Sequence, residues 1–269
     1  MNAPSLLEQY EDNWETAMGG CILGERVVFR GKDLFDDLGD SSWLELLYFG
    51  INGKLLKKEE LEFVNAAYVL CTSFPDPRLW NNRVASLAGT ARSTACLAVA
   101  AATAVSEATT YGRRPDITAC DFVARGNSKY KKGECIESIV NYELKKYRGI
   151  PGFGRPLTSG DERIIPIVAK AKSLGLDGGE HLLFINKVQA YLKENRKRLS
   201  MNVAGVVSAI MADMGTTPKE HYLFCVLAFS AGFFPCFIDA EKKEEGAFFP
   251  LRASLINYEG IDQSRVWRK

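Results

Sequence analysis

Apolar residues recur along most of the chain at intervals of three and four, the spacing of one face of an α-helix. Leu61, Val64, Tyr68 and Cys71 share such a face, and so do Ile185, Val188 and Leu192. Residues 80–108 read as one long helical region or two abutting ones, rich in alanine, serine and threonine. Small residues let helices approach closely, so this region is expected to be central to packing or to a subunit interface. Val203, Val206, Ile210 and Met214 mark a further helix, with Gly215 as its C-terminal stop. The next opens at once: Thr217 is placed to cap it, Pro218 suits its first position, and Glu220 completes a capping box. It is expected to run through Leu223, Val226 and Leu227 towards Gly232. Alternation, the signature of a strand, is scarce, and one short strand is expected at residues 26–30. These patterns predict an all-α fold.

Charge changes this picture little. The chain has 269 residues and a formal net charge of +1, so no general field favours nucleic acid or an anionic membrane. The basic run at residues 193–198 is interleaved with acidic residues and reads as a solvated helix face. The seven cysteines form no CxxC pair, and His181 and His221 are the two histidines, so no metal centre is expected. Cys71, Cys96, Cys225 and Cys236 sit in apolar runs and read as buried, reduced thiols. The acidic N-terminus is unlike a secretory signal. The most apolar stretch, Ala95–Val105, is too short to span a bilayer and follows Arg92 closely. A cytoplasmic location is the expectation.

Two stretches interrupt the helical pattern. One is SFPDPRLWNNR at residues 73–83, the other YRGIPGFGRPLTSGDER at residues 147–163. The second concentrates glycine and proline, which suits a loop whose backbone approaches a ligand closely, or a plain structural loop. Its Ser159-Gly160-Asp161 end looks like a helix start, where backbone N–H groups with Arg155 and Arg163 would favour an anion.

VVFRGKDL at residues 27–34, the leucine-rich segment at residues 41–64, PGFGRPLTSGDER at 151–163 and NVAGVVSAIMADMGTTPKEHYLFCVLAFSAG at 202–232 occur in one order. FPLRASLINYEG at 249–260 is a looser echo of the terminal motif. Together they resemble the citrate synthase / citryl-CoA lyase family, and the short length is most like the stand-alone lyases. The resemblance implies a helical fold with a large lobe, mainly residues 1–150 and 230–269, and a small lobe, mainly 151–229. It implies a homodimer whose ligands are an acyl-CoA and a di- or tricarboxylate. No permanently bound cofactor or metal is implied, and CoA enters as substrate or ligand.

Side chains at the family's catalytic positions differ. Arg155 stands where the loop histidine belongs, Ala204 where the aspartate belongs, and Tyr111 where another histidine belongs. Enolate chemistry needs a base and a donor aimed at the developing oxyanion. Alanine transfers no proton, and arginine stays charged while binding carboxylates by a planar fork. The family's backbone role in CoA binding carries over to Ile150, Pro151, Gly152, Phe153 and Gly154, whose glycines are present.

The candidate catalytic residues are therefore Arg155, Tyr111 and Asp76, with Asp161 as a further possible base. Asp76 also reads as the helix N-cap before Pro77. Candidate substrate ligands are Arg78, Asn81, Asn82, Arg83, Arg113, Arg163 and Arg252. Arg78, Asn81 and Asn82 have the spacing of one helix face, which suits polycarboxylate recognition or a solvated turn. Arg155 and Arg163 read as carboxylate or phosphate ligands, or as surface ion pairs. His181 and His221 read as structural. Two functions follow: a lyase or synthase of citryl-CoA or a related acyl-CoA with a rearranged Arg/Asn-rich site, or a non-catalytic CoA or carboxylate binder, as a sensor or partner subunit.

Overall fold

Helical spacing governs the computed structural model, which describes residues 3–12, 15–109, 112–155, 160–248 and 250–260. In chain order come α1 (Ala3–Tyr10), α2 (Trp43–Asn52), α3 (Lys58–Cys71), α4 (Trp80–Thr90), α5 (Ala95–Val105) and α6 (Arg114–Lys131). Then follow α7 (Ile136–Tyr147), α8 (Ile164–Ser173), α9 (Glu180–Glu194), α10 (Val203–Asp213), α11 (Pro218–Phe224) and α12 (Ser230–Glu241). The fold is all-α, as the periodicity predicts.

Strand content exceeds the single segment expected. β1 (Gly19–Ile22), β2 (Arg26–Phe29) and β3 (Lys32–Asp33) form an antiparallel three-stranded sheet in that order. The β2–β3 turn places Arg30 at φ 46° and Gly31 at φ 80°, the paired left-handed residues of a tight hairpin. Arg30 then donates to the carbonyls of Gly50 and Ile51, fastening the sheet to the C-terminal end of α2. Periodicity cannot reveal strands this short, because pairing rather than burial holds them.

The principal core joins α3 with α6 through α10. Phe63, Phe122, Ile139, Ile167, Phe184, Ile185, Val188, Leu192, Val206 and Ile210 are fully or almost fully buried in it. A second core packs α4 and α5 against α12 through Ala85, Ala98, Ala102, Phe233 and Phe237. The small residues do here what the sequence led us to expect: a Cβ on Gly89 would lie 2.6 Å from the carbonyl oxygen of Phe237. Residues 80–108 are two helices, since Arg92 adopts φ 55° and Thr94 caps α5 by accepting the N–H of Leu97. Cys96 is exposed rather than buried, and all seven thiols are free.

A third, smaller core of Tyr48, Val64, Met211 and Phe224 joins α2, α3, α10 and α11. Thr217 and Glu220 form the anticipated capping box of α11. The helix does not run on to Gly232, however. It ends at Phe224, and a 3-10 turn at Cys225–Leu227 leads into α12. Residues Pro218–Glu241 are long and apolar enough to cross a membrane by length and composition, a stretch the sequence reading passed over for residues 95–105. In this fold that run is broken at the 3-10 turn, with Phe224 in the third core and Phe233 and Phe237 in the second.

Candidate functional site

The glycine-rich loop docks on the N-terminus of α10. Gly152 and Gly154 have φ of 85° and 82°, a region open to glycine and strained for other residues. A Cβ on Gly152 would lie 2.9 Å from Gly205 Cα, and one on Gly205 would lie 2.7 Å from the Gly152 carbonyl oxygen. The two backbones therefore touch, which only a glycine pair permits. The Asn202 N–H donates to the Gly152 carbonyl and its Nδ2 to the Gly154 carbonyl, each at 2.9 Å. Gly154 N–H donates to Ser200, and Ile150 and Phe153 are buried beneath. The loop is thus a fixed backbone surface.

Below it lies a charged cluster. The Asp161 carboxylate is fully buried and takes a two-pronged interaction from Arg163, with both N–O distances 2.9 Å. It also accepts the Val203 N–H at 2.9 Å and so caps α10. Burial pushes this carboxyl up, but the Arg163 fork and the Val203 N–H outweigh it and hold it below the usual range. Arg155 pairs with Glu162 at 2.5 Å. The helix start expected at residues 159–161 lies instead at Ile164, behind Arg163. Its anion is internal: Asp161 accepts the Arg163 N–H.

These residues open onto a cavity of about 580 Å³, a size suited to a small-molecule ligand. Arg155, Arg163, Arg113, Asp116 and His221 line it, together with Gly154, Asn202 and Ala204. Arg113 is 1% exposed. It pairs with Glu107 at 2.8 Å and donates to the Tyr222 carbonyl, yet its buried Nε has no hydrogen-bond partner among the described residues. His221, 2% exposed, touches Cys225 Sγ through Nε2 at 3.6 Å, and its Nδ1 likewise lacks a partner. Burial, and then the positive Arg113, push the His221 pKa down to about 4, so the ring is neutral at pH 7. Asp116, in the first turn of α6, is pushed by burial up to about 6 against the opposing pull of Arg163 and Arg113. The cavity is thus bordered by Arg113 and His221, each with one buried ring or guanidinium nitrogen unpartnered among the described residues, and by one carboxyl poised near neutrality, groups suited to proton transfer and charge stabilisation.

The Arg/Asn cluster expected at residues 78–83 divides. Asn81 and Asn82 are buried and structural: Asn81 bonds Ser73 and Ser106, and Asn82 holds the carbonyls of Phe74 and Asp76. Only Asn81 of the cluster borders the cavity. Arg78 precedes α4 and points outward, its side chain 82% exposed against Asp76, while Arg83 lies over the Trp80 ring. Asp76 is not the N-cap of α4, a place taken by Leu79; it closes a turn by accepting from Arg78. Arg252 is exposed and away from the cavity lining. Tyr111 lies outside the described residues. His181 bonds Asp213, whose carboxylate accepts the N–H groups of His181 and Leu182 at the start of α9.

Asp116 was not singled out by the sequence reading, and His221 was read as structural. An aspartate in a first helical turn reads as ordinary dipole compensation, and a histidine in a capped helix reads as packing. The usable signal for Asp116 was its place just after Arg113 and Arg114.

No family model matches the chain, and no curated protein does. Among solved structures, citryl-CoA lyase from Hydrogenobacter thermophilus aligns with TM-score 0.80 at 22% identity, over 94% of this chain and 97% of that one. ATP citrate lyase from Methanothrix soehngenii, in complex with citrate and coenzyme A, aligns with TM-score 0.74 at 18% identity; the match covers all of this chain and 46% of that one. Citrate synthase from Thermoplasma acidophilum, in a ternary complex with carboxymethyl coenzyme A and oxaloacetate, aligns with TM-score 0.61 at 16% identity, over 84% of this chain and 60% of that one. The chain has the citrate synthase-like fold.

Proposed function

From that fold as premise, we propose that the chain is a CoA-ester carbon–carbon lyase that cleaves citryl-CoA or a related 3-hydroxyacyl-CoA into an acyl-CoA and an oxoacid. The observation that carries this reading is the cavity itself. One carboxyl poised near pH 6, Asp116, lines it with Arg113, His221 and Gly154 of the glycine-rich loop, and the buried Arg113 Nε and His221 Nδ1 have no hydrogen-bond partner among the described residues. The neighbours solved with coenzyme A lend support to a CoA ester as ligand.

In this mechanism the ionised Asp116 removes the proton of the substrate 3-hydroxyl. The freed electron pair forms the ketone, the bond to the thioester-bearing carbon breaks, and its electrons move into the thioester as an enolate. Arg113 Nε–H and neutral His221 donate to the enolate oxygen. Asp116 then returns its proton to the enolate carbon. The products are oxaloacetate and acetyl-CoA when the substrate is citryl-CoA. Arg163, fixed by Asp161, and Arg155 at the loop bind substrate carboxylate. Arg155 is released from catalysis proper, and the missing aspartate at Ala204 is replaced from α6.

The chain is proposed to act as a homodimer in the cytoplasm, with the exposed apolar residues Leu97, Phe234 and Ile238 of α5 and α12 as the contact face. A second reading, a non-catalytic CoA or carboxylate binder, is favoured by Ala204 and by the internal pairing of Arg155 and Arg163. The test is incubation of the purified chain with citryl-CoA. Release of oxaloacetate and acetyl-CoA that disappears in Asp116→Asn supports the lyase. Binding of citryl-CoA without product supports the binder.

A further inference from the structure

Arg113 borders the cavity, but the carboxylate that balances it stands at the protein surface. The arginine side chain is 2% exposed and that of Glu107 is 46% exposed, with Arg113 Nη2 donating to Glu107 Oε1 at 2.8 Å. Arg163, by contrast, is matched by a wholly buried Asp161. Glu107 Oε1 also accepts the Tyr222 hydroxyl at 2.7 Å. Arg113 Nη1 donates to the Tyr222 carbonyl at 3.3 Å, and the guanidinium lies over the Tyr222 ring, 5.2 Å from its centroid. Both terminal nitrogens and one face of the guanidinium are therefore held by one carboxylate and one tyrosine. A planar group held in this way has its plane fixed, and the direction of Nε–H is fixed with it. The backbone is anchored too: Arg113 N–H donates to the Ser106 carbonyl at 2.6 Å, and Asn81 Nδ2 donates to the Ser106 hydroxyl at 3.2 Å. Tyr222 directly follows His221 on α11, so Glu107 ties the segment that carries Arg113 to the helix that carries the histidine. Neither Glu107 nor Tyr222 is among the residues lining the cavity.

Resting on the lyase reading, we infer that Glu107 and Tyr222 are positioning residues: from outside the cavity they fix the guanidinium of Arg113, and so set its Nε–H relative to His221. A carboxylate suits this place because it accepts from both partners at once through charge-assisted bonds. It is ionised at neutral pH, since the Tyr222 hydroxyl, and then the positive Arg113, hold the Glu107 carboxyl below its usual range against the opposing effect of burial. Tyr222 contributes its hydroxyl, its ring and its carbonyl, and the hydroxyl can be removed without touching the other two.

The experiment is steady-state cleavage of citryl-CoA by the whole protein, read as release of oxaloacetate. Tyr222→Phe is expected to lower kcat about 3–10-fold and Glu107→Ala about 10–100-fold, with KM within about twofold of wild type, because a misplaced donor weakens the transition state more than ground-state binding. Glu107→Gln still accepts from both partners and is expected to fall between wild type and Glu107→Ala. Added formate should raise kcat of Glu107→Ala and leave wild type unchanged, since the vacated place is open to solvent and admits a small carboxylate. Unchanged kcat in Tyr222→Phe and Glu107→Ala, with wild type active, overturns the positioning role and leaves the lyase reading standing. A fall in kcat accompanied by an equal rise in KM, with nothing restored by formate, overturns it too, since Glu107 then serves only the fold. Should Glu107→Ala fold poorly, Tyr222→Phe, which loses one exposed hydroxyl, decides by its kcat and KM alone. A wild type that releases no oxaloacetate overturns the lyase reading and the positioning role with it.

Discussion

Among the described residues, two buried carboxylates are held by arginine forks, and they serve opposite ends. Glu143 of α7 is fully buried and takes both prongs of Arg125 of α6, at 2.6 and 2.8 Å. Arg125 also reaches Asp121 one turn earlier, so this pair sits in its own closed network. Asp161 is held the same way by Arg163, but this arginine borders a cavity that a third carboxyl, Asp116, also lines. Charge burial alone therefore does not mark a site. What marks it is capacity left over: an Arg113 Nε and a His221 Nδ1 that have no partner among the described residues, and a carboxyl that gained too little compensation to stay fully ionised.

The sharpest way to break this comparison is to remove one partner from the closed pair. Arg125→Met strands Glu143 in the interior and should cost about 3–5 kcal/mol in denaturant unfolding. The double variant Arg125→Met/Glu143→Met should recover most of that loss, because no buried charge remains. Next in size is Asp161→Asn. It leaves Arg163 without its counter-charge, weakens the cap on Val203, and should cost about 1–3 kcal/mol. Unlike the first variant, it should also weaken binding of CoA esters, since the loop and Arg163 both lean on that carboxylate.

An effect of similar size has the opposite sign. Asp116 binds its proton more tightly folded than unfolded, with a pKa near 6 against an ordinary 3.8. Its contribution to stability is fully present below about pH 4 and is lost as pH rises through about 6. Above that pH the charged group is a burden, so Asp116→Asn should stabilise the protein by about 1–3 kcal/mol at pH 8 and by little at pH 4. Unfolding curves at the two pH values check this. A residue that weakens the fold where it is charged, while lining the cavity, is what a functional carboxyl looks like.

Most of the fold was legible in the sequence because amphipathic helices write burial at intervals of three and four. Ile185, Val188 and Leu192 face the core as their spacing requires, and the cap of α11 follows from Thr217, Pro218 and Glu220. The loop was legible because Gly152 and Gly154 mark backbone geometry directly. The site chemistry was not, for a physical reason. Asp116, Asp161, Arg163 and His221 meet only through the packing of α6, α8, α10 and α11, and sequence spacing carries no record of such a meeting. The same limit explains the misread cluster at residues 78–83. Helical spacing put Arg78 and Asn82 on one face, but α4 begins at Trp80, so Arg78 is not on the helix and points to solvent.

The account turns on Asp116 as the group that moves the proton, and the most direct measurement is kcat/KM for citryl-CoA against pH. The wild-type profile should rise with a midpoint near pH 6, where Asp116 ionises. Asp116→Asn should lose that limb and fall in rate by about 10²–10⁴-fold while still binding CoA. Wild-type turnover in Asp116→Asn, with the same rise near pH 6, would contradict the account.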